Sequence, residues 1–124
     1  MRVPSAWATG LLPSQAVPPR FTFSSEVHGS ALVVALQGKM DLYAAQIGRK
    51  GLRDVVLAHP GEVVIDLRPL TFLDSSGLSV LIALDQDVRA AGRRIRFVRG
   101  TSASRVIEVA GMDKQLTWVD DVPS

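Results

Sequence analysis

Glu62-Val63-Val64-Ile65-Asp66-Leu67, then Arg68-Pro69-Leu70-Thr71-Phe72-Leu73, then Asp74-Ser75-Ser76-Gly77-Leu78: the fold of this chain turns on how this stretch is read. The first six residues are mostly apolar and β-branched, which predicts a short buried strand. The next six read as a loop carrying the chain to Asp74. From near Leu78 the residues Val80, Leu81, Ile82, Ala83 and Leu84 are apolar almost all round, and the pattern turns polar at Asp85, Gln86, Asp87 and Arg89. This predicts a helix whose start lies deep in the structure or against a partner. Asp74 to Gly77 therefore places hydroxyls at a helix start.

That position has a chemistry of its own. The first N–H groups of a helix lack intrahelical partners and together carry about half a positive charge. They are expected to hold a phosphate attached at or beside Ser75, while the carboxylate of Asp74 repels it. Asp, Ser and Gly are also ordinary capping residues, so a structural cap and a covalent charge switch are both compatible with the string.

Working outward, Ala91-Gly92 stops the helix, and Arg94-Ile95-Arg96-Phe97-Val98 alternates as a half-buried strand does. Glu62 to Val98 is then a strand–helix–strand unit, expected to cross over right-handed. Upstream, Phe21 to Val27 and Ala31 to Gln37 flank the turn His28-Gly29 and predict a hairpin. Its second strand is apolar enough to be central, with helices covering it. Gly38-Lys39-Met40-Asp41 ends that strand, and Leu42 to Ala58 predicts a helix with Leu42, Ala45, Leu52, Val55 and Val56 on one face, capped by Asp41 and weakened by Gly48 and Gly51. Asp41 reads equally as a cap or as an interface carboxylate. Thr101 to Gly111 predicts a last short helix, and Leu116 to Val119 an edge strand. The whole is an α/β domain with a mixed central sheet of four to five strands packed with helices.

The 124 residues suit one domain. Residues 1–20 contain Pro4, Pro13, Pro18 and Pro19 and read as a flexible tail before a folded domain over residues 21–124. Arg2 followed by Trp7 to Leu12 resembles the start of a signal peptide, but proline and glycine break its apolar part. No apolar run approaches the roughly 20 residues of a membrane span, so no membrane insertion is expected. The formal charge is +2, from 14 basic and 12 acidic residues. Arg2 and Arg20 lie in the tail, which leaves the folded part balanced and without the footprint that direct nucleic-acid binding needs.

With no cysteine, disulfides, thiolate ligands and a thiol nucleophile are excluded, and a cytoplasmic location is expected. His28 and His59 are far apart and read as surface histidines rather than metal ligands, so neither metal nor cofactor is expected. A hydrolase built on Ser75 would need a base and an oxyanion hole, and the Gly-x-Ser-x-Gly elbow is missing. The arginines Arg89, Arg93, Arg94, Arg96 and Arg99, with Asp85 and Asp87 nearby, read as a solvated charged face. Tyr43 and Trp118 read as packing residues.

Val63 to Leu67, Leu70 to Leu78, Gly92 with Arg94 to Val98, Val106 to Gly111 and the upstream Gly38-Lys39-Met40-Asp41 together resemble the STAS domain of bacterial anti-sigma factor antagonists. The match covers about Phe21 to Val119. The resemblance implies a non-enzymatic protein that, unphosphorylated, binds an anti-sigma factor of the GHKL Ser/Thr kinase class and so frees a sigma factor. That kinase inactivates the antagonist by phosphorylating one hydroxyl, and a PP2C-type phosphatase restores it. The acceptor position matches Ser75, with Ser76 a second hydroxyl not normally used. Asp41 and Asp74 match the acidic residues beside the acceptor; Ser76, Gly77, Leu78 and Ser79 are expected to contact the partner. Homodimer formation is compatible with the resemblance. STAS domains also serve as non-switching scaffold subunits of stress-sensing complexes or ABC-type lipid transporters, and that alternative stays open. Two departures stand out: Lys39 lies where many relatives are acidic, and Leu42-Tyr43-Ala44-Ala45 lacks a common Ser or Thr.

Overall fold

The strand Ala31–Met40 (β2) organises the domain, because its apolar run supplies side chains to both faces of the sheet. The structure, a computed structural model, describes residues 21–101, 105, 107, 108, 111 and 114–123. On one side β2 pairs antiparallel with Phe21–His28 (β1), from His28 opposite Ala31 to Phe21 opposite Gly38, closing the expected hairpin about Gly29 in the left-handed region. On the other side it pairs in parallel with Val63–Asp66 (β3). The strand Ile95–Val98 (β5) adds in parallel to β3, and Trp118–Val119 (β6) adds to β5 as the expected edge strand.

The helix Leu42–Ala58 (α1) has the predicted bounds. The second helix, Ser75–Ala90 (α2), begins at Ser75 rather than near Leu78. Asp74 accounts for the difference: once it caps the backbone, the hydroxyl residues after it form the first turn.

The loop expected over Arg68 to Leu73 contains a strand, Leu70–Leu73 (β4), and this gives the sheet six strands instead of four to five. It pairs in parallel with the end of β2, Gly38 opposite Leu70, Lys39 opposite Phe72 and Met40 opposite Leu73. Thr71 is an extra residue in this register. A bulge of this kind breaks the period of two, so Leu70 and Leu73 both reach the core although they are three apart. The same pairing extends β2 past Gln37 to Met40.

Val34, Leu36, Ile65, Leu67, Phe97, Leu52, Val56, Leu81 and Leu84 are fully buried between the sheet and the helices. On the opposite sheet face Ala31, Val33, Val64 and Val98 are covered by Val119 and Val122. Gly92, with φ of 75°, ends the turn after α2 and donates to the Arg89 carbonyl at 2.9 Å. The helix expected over Thr101 to Gly111 lies partly outside the described residues; Thr101, Arg105, Ile107 and Glu108 are helical, and Ile107 is buried in the main core. The tail of residues 1–20 lies wholly outside them.

Candidate functional site

Both helices start at the end of the sheet where β2 and β4 finish, and an aspartate caps each. Asp41, following Met40, accepts from the Ala44 N–H at 3.0 Å through Oδ1. Asp74, following Leu73, accepts through one oxygen from the N–H groups of Ser76 at 2.9 Å and Gly77 at 3.0 Å. The two caps are neighbours because β2 and β4 pair up to Met40 and Leu73, and the Asp74 N–H then donates to the Met40 carbonyl at 3.4 Å.

Ser75 is therefore the first residue of α2, and it is exposed. Among the described residues none hydrogen-bonds its hydroxyl. Its carbonyl accepts the Ser79 hydroxyl at 2.9 Å, a back-bond one turn along that leaves Ser79 on the surface. Ser76 is half-buried. Gly77 and Leu78 are placed differently from the surface contacts expected of them. Leu78 is 4 % exposed and belongs to the core, and Gly77 is buried against the end of β2. A Cβ on Gly77 would collide with the Met40 carbonyl and lie 2.6 Å from a Leu73 methyl. Glycine here lets the start of α2 sit directly on the strand ends.

Of the helix-start donors expected to hold a phosphate on Ser75, those of Ser76 and Gly77 are engaged by Asp74, and the Leu78 N–H donates to the Asp74 carbonyl at 2.9 Å. A phosphate on Ser75 also meets the Asp74 carboxylate.

The apolar residues at this end of the domain escaped the sequence reading. Leu42, assigned to the buried helix face, is 56 % exposed, and Tyr43, assigned to packing, is 64 % exposed; Ile47 and Phe72 are also largely exposed. Ala45, Leu52 and Val56 do face the core, with Val55 partly buried. The first turn of α1 begins where β2 ends, so Leu42 has no sheet beneath it. A period of 3.6 cannot report where the underlying sheet stops.

Trp118 does pack, its ring 5.9 Å from that of Phe97 and under the Arg99 guanidinium at 4.2 Å. Arg89 pairs with Asp85 and Arg96 with Glu62, in keeping with a charged, solvated surface. His28 lies opposite Ala31, and the His59 ring meets the Ser30 carbonyl at 2.9 Å. Both histidines are thus at the hairpin end of β2, roughly 30 Å from Met40 at 3.3 Å per residue, too far to serve Ser75 as a base. Sequence reading also missed Arg68, whose guanidinium bridges the Asp66 carboxylate and Asp121 at 2.9 to 3.0 Å. Hydrogen bonding to Asp66, followed by its charge, raises the Arg68 pKa against the opposing effect of desolvation. Among the described residues no group of three potential metal ligands lies together, and no helix is long and apolar enough to cross a membrane.

A mixed sheet whose strand ends carry two capped helix starts, one presenting a hydroxyl, defines a small α/β domain of a recognisable kind. The chain belongs to the STAS domain family, which residues 22–123 match. It is 30% identical over 102 residues to the anti-sigma-F factor antagonist RsfB of Mycobacterium tuberculosis, covering 80% of this chain and 81% of that protein. The crystal structure of an anti-sigma factor antagonist from Mycobacterium paratuberculosis superposes with a TM-score of 0.71 at 29% identity, over 86% of this chain and 92% of that one. The anti-sigma factor antagonist SpoIIAA in its unphosphorylated form, at 17% identity and a TM-score of 0.65 over 81% of this chain and 90% of that one, shares the fold.

Proposed function

We propose that this chain is an anti-sigma factor antagonist. Its unphosphorylated form binds an anti-sigma factor and so frees a sigma factor, and phosphorylation of Ser75 ends the binding. The observation that carries this reading is the exposed Ser75 hydroxyl, held on the first turn of a rigid helix and engaged by no described residue. The names of its relatives favour the antagonist over a permanent scaffold subunit, which has no need of a modifiable hydroxyl beside two carboxylates.

The chain acts as a substrate and leaves the chemistry to its partners. An anti-sigma factor of the GHKL Ser/Thr kinase class brings ATP, metal and base. The Ser75 oxygen forms a bond to the γ-phosphorus as the bond to the β-phosphate oxygen breaks, and the serine proton passes to the kinase's base. The product carries about two negative charges next to the carboxylates of Asp74 and Asp41. With the Ser76 and Gly77 donors engaged by Asp74, the phosphate stays at the surface, where its bulk and its desolvation cost oppose a close-packed partner. Neither effect requires the domain to refold. A PP2C-type phosphatase reverses the modification, in the cytoplasm where the transcription machinery lies.

The test is incubation of the purified chain with candidate GHKL anti-sigma factors and ATP, followed by intact-mass measurement. Gain of one phosphate that Ser75→Ala abolishes, with binding retained, is the expected result. Retained phosphate in Ser75→Ala would move the acceptor to Ser76, and no phosphate on the wild-type chain would remove the switch.

A further inference from the structure

We propose that the edge strand β1 is a homodimer interface: two copies of this chain pair β1 with β1 antiparallel about a two-fold axis through Ser24, so that one sheet runs through both. This inference is independent of the antagonist reading. β1 is eight residues long and joins β2 in an unbroken register from Phe21 to His28, while among the described residues no strand pairs with its other side. The backbone N–H and C=O groups on that side are a template for a further strand. Edges are ordinarily blunted by lysine, proline, a bulge or brevity. The opposite edge follows that rule, since β6 is two residues long and the Arg99 guanidinium lies over Trp118. β1 has no lysine, arginine, proline or bulge, and its only carboxylate is Glu26.

The sequence of β1 fits its own reverse. Residues directly opposite in an antiparallel pair point to the same face, so a two-fold axis perpendicular to the sheet must pass through a residue and not between two. With Ser24 opposite Ser24 of the second copy, Phe21 faces Val27, Thr22 faces Glu26 and Phe23 faces Ser25, each contact made twice. The two Glu26 carboxylates are then offset by four residues along the strands, about 13 Å at 3.3 Å per residue. Moving the axis to Ser25 places each Glu26 opposite Ser24 and diagonal to the other Glu26, a closer approach of like charges.

Val27 supplies the apolar gain. It shares a sheet face with Phe21 and Phe23, which pack against the core, yet it is 61 % exposed. Gly48 and Gly51 set α1 directly over the Phe21 and Phe23 rings. Ile47, 62 % exposed, is four residues before Gly51 and so lies on the same side of α1. Pairing brings Val27 of the second copy against Phe21 and towards Ile47, which covers two of the large exposed hydrophobics at each end of the interface. Gly38 pairs with Phe21 on one side and with Leu70 on the other, so Ser75, which follows β4, lies across β2 from the interface. The dimer leaves both Ser75 hydroxyls free, at opposite ends of the joined sheet.

The experiment uses the full chain and exploits its lack of cysteine. Analytical ultracentrifugation over a range of concentrations is expected to show a monomer–dimer equilibrium for the wild type. Val27→Lys and Ser24→Lys, each checked for folding by circular dichroism, are expected to raise the dimer dissociation constant about tenfold or more. Phe72→Ser, at an exposed position on β4, should leave it unchanged. On oxidation, Ser24→Cys should form a disulfide-linked dimer faster than Thr71→Cys, an exposed position across β2 from the interface. A wild-type chain that is monomeric at every concentration overturns the proposal, and so does a dimer that both lysine variants leave intact. Faster linkage through Ser25→Cys than through Ser24→Cys overturns the register. No readout involves an anti-sigma factor, so failure here leaves the antagonist reading standing.

Discussion

The backbone N–H of Asp74 donates to the carbonyl oxygen of Met40 at 3.4 Å, and this bond joins the start of one helix to the end of the central strand. It lies at the close of a register in which Leu73 faces Met40, so the strand pair and the helix start are one rigid corner. Asp41 leaves the corner in one direction and Ser75 in the other. Two caps distant in sequence are thereby brought to the same end of the β2–β4 pair.

The corner makes opposite predictions for two glycines. In Gly77→Ala a methyl would overlap a Leu73 methyl and the Met40 carbonyl, and the carbonyl, being backbone, cannot give way without disturbing the β2–β4 pairing. Alanine favours a helix by up to about 1 kcal/mol over glycine, yet overpacking against backbone typically costs about 1–3 kcal/mol. Net destabilisation is expected, with a lower urea midpoint. Gly51→Ala is the contrast. Its nearest atoms lie on the Phe23 ring at 3.9 Å, an ordinary contact, so the propensity gain survives and the midpoint should rise.

Asp74 separates the cap from its charge. Asp74→Ala leaves the Ser76 and Gly77 N–H groups without their acceptor and should cost about 1 kcal/mol, whereas asparagine caps almost as well as aspartate. Asp74→Asn is therefore expected to stay close to the wild type in denaturant unfolding. An Asn variant as unstable as the Ala variant would mean that the negative charge at the helix start, and not the hydrogen-bond geometry, stabilises it.

The strand–helix–strand unit, the hairpin, both helices and the caps at Asp41 and Asp74 were legible because each rests on local pattern: β-branched runs, a period of 3.6, and short polar residues at boundaries. Strand β4 was not, since Pro69 and the extra Thr71 hide its period, and its pairing is decided by the end of β2 some thirty residues upstream in sequence. The exposed serine could be read from the string around it. That Leu78 points inward and Leu42 and Tyr43 outward depends on where the sheet ends beneath each helix, and helical periodicity carries no record of it. Arg68 binding both Asp66 and Asp121 joins residues distant in sequence, and no motif announces that contact.

If charge repulsion at the corner drives release, the two carboxylates should act together. Ser75→Asp places one negative charge beside Asp74 and is expected to weaken binding to the anti-sigma factor. Asp74→Asn in the Ser75→Asp background removes one repelling neighbour while keeping the cap, so part of the lost affinity should return. A double-mutant cycle measured by titration calorimetry reads the coupling directly. Zero coupling would assign release to bulk and desolvation alone.

Arg68 and Asp121 divide a stabilising contact into two unequal halves. The Asp66 side chain is only 10% exposed and accepts from the Arg68 guanidinium at 2.9 and 3.0 Å and from its backbone N–H at 3.0 Å. Arg68→Ala keeps the backbone bond but leaves a nearly buried carboxylate without its counter-charge, so a larger drop in the urea midpoint is expected than for Asp121→Ala. The Asp121 side chain is 71% exposed, and Asp121→Ala should cost less than about 1 kcal/mol. Urea unfolding followed by Trp118 fluorescence in a Trp7→Phe background measures both. Equal losses would show that Arg68 acts mainly by pinning the segment of Val119 and Val122 over the sheet, because only that role depends on Asp121 as much as on Arg68.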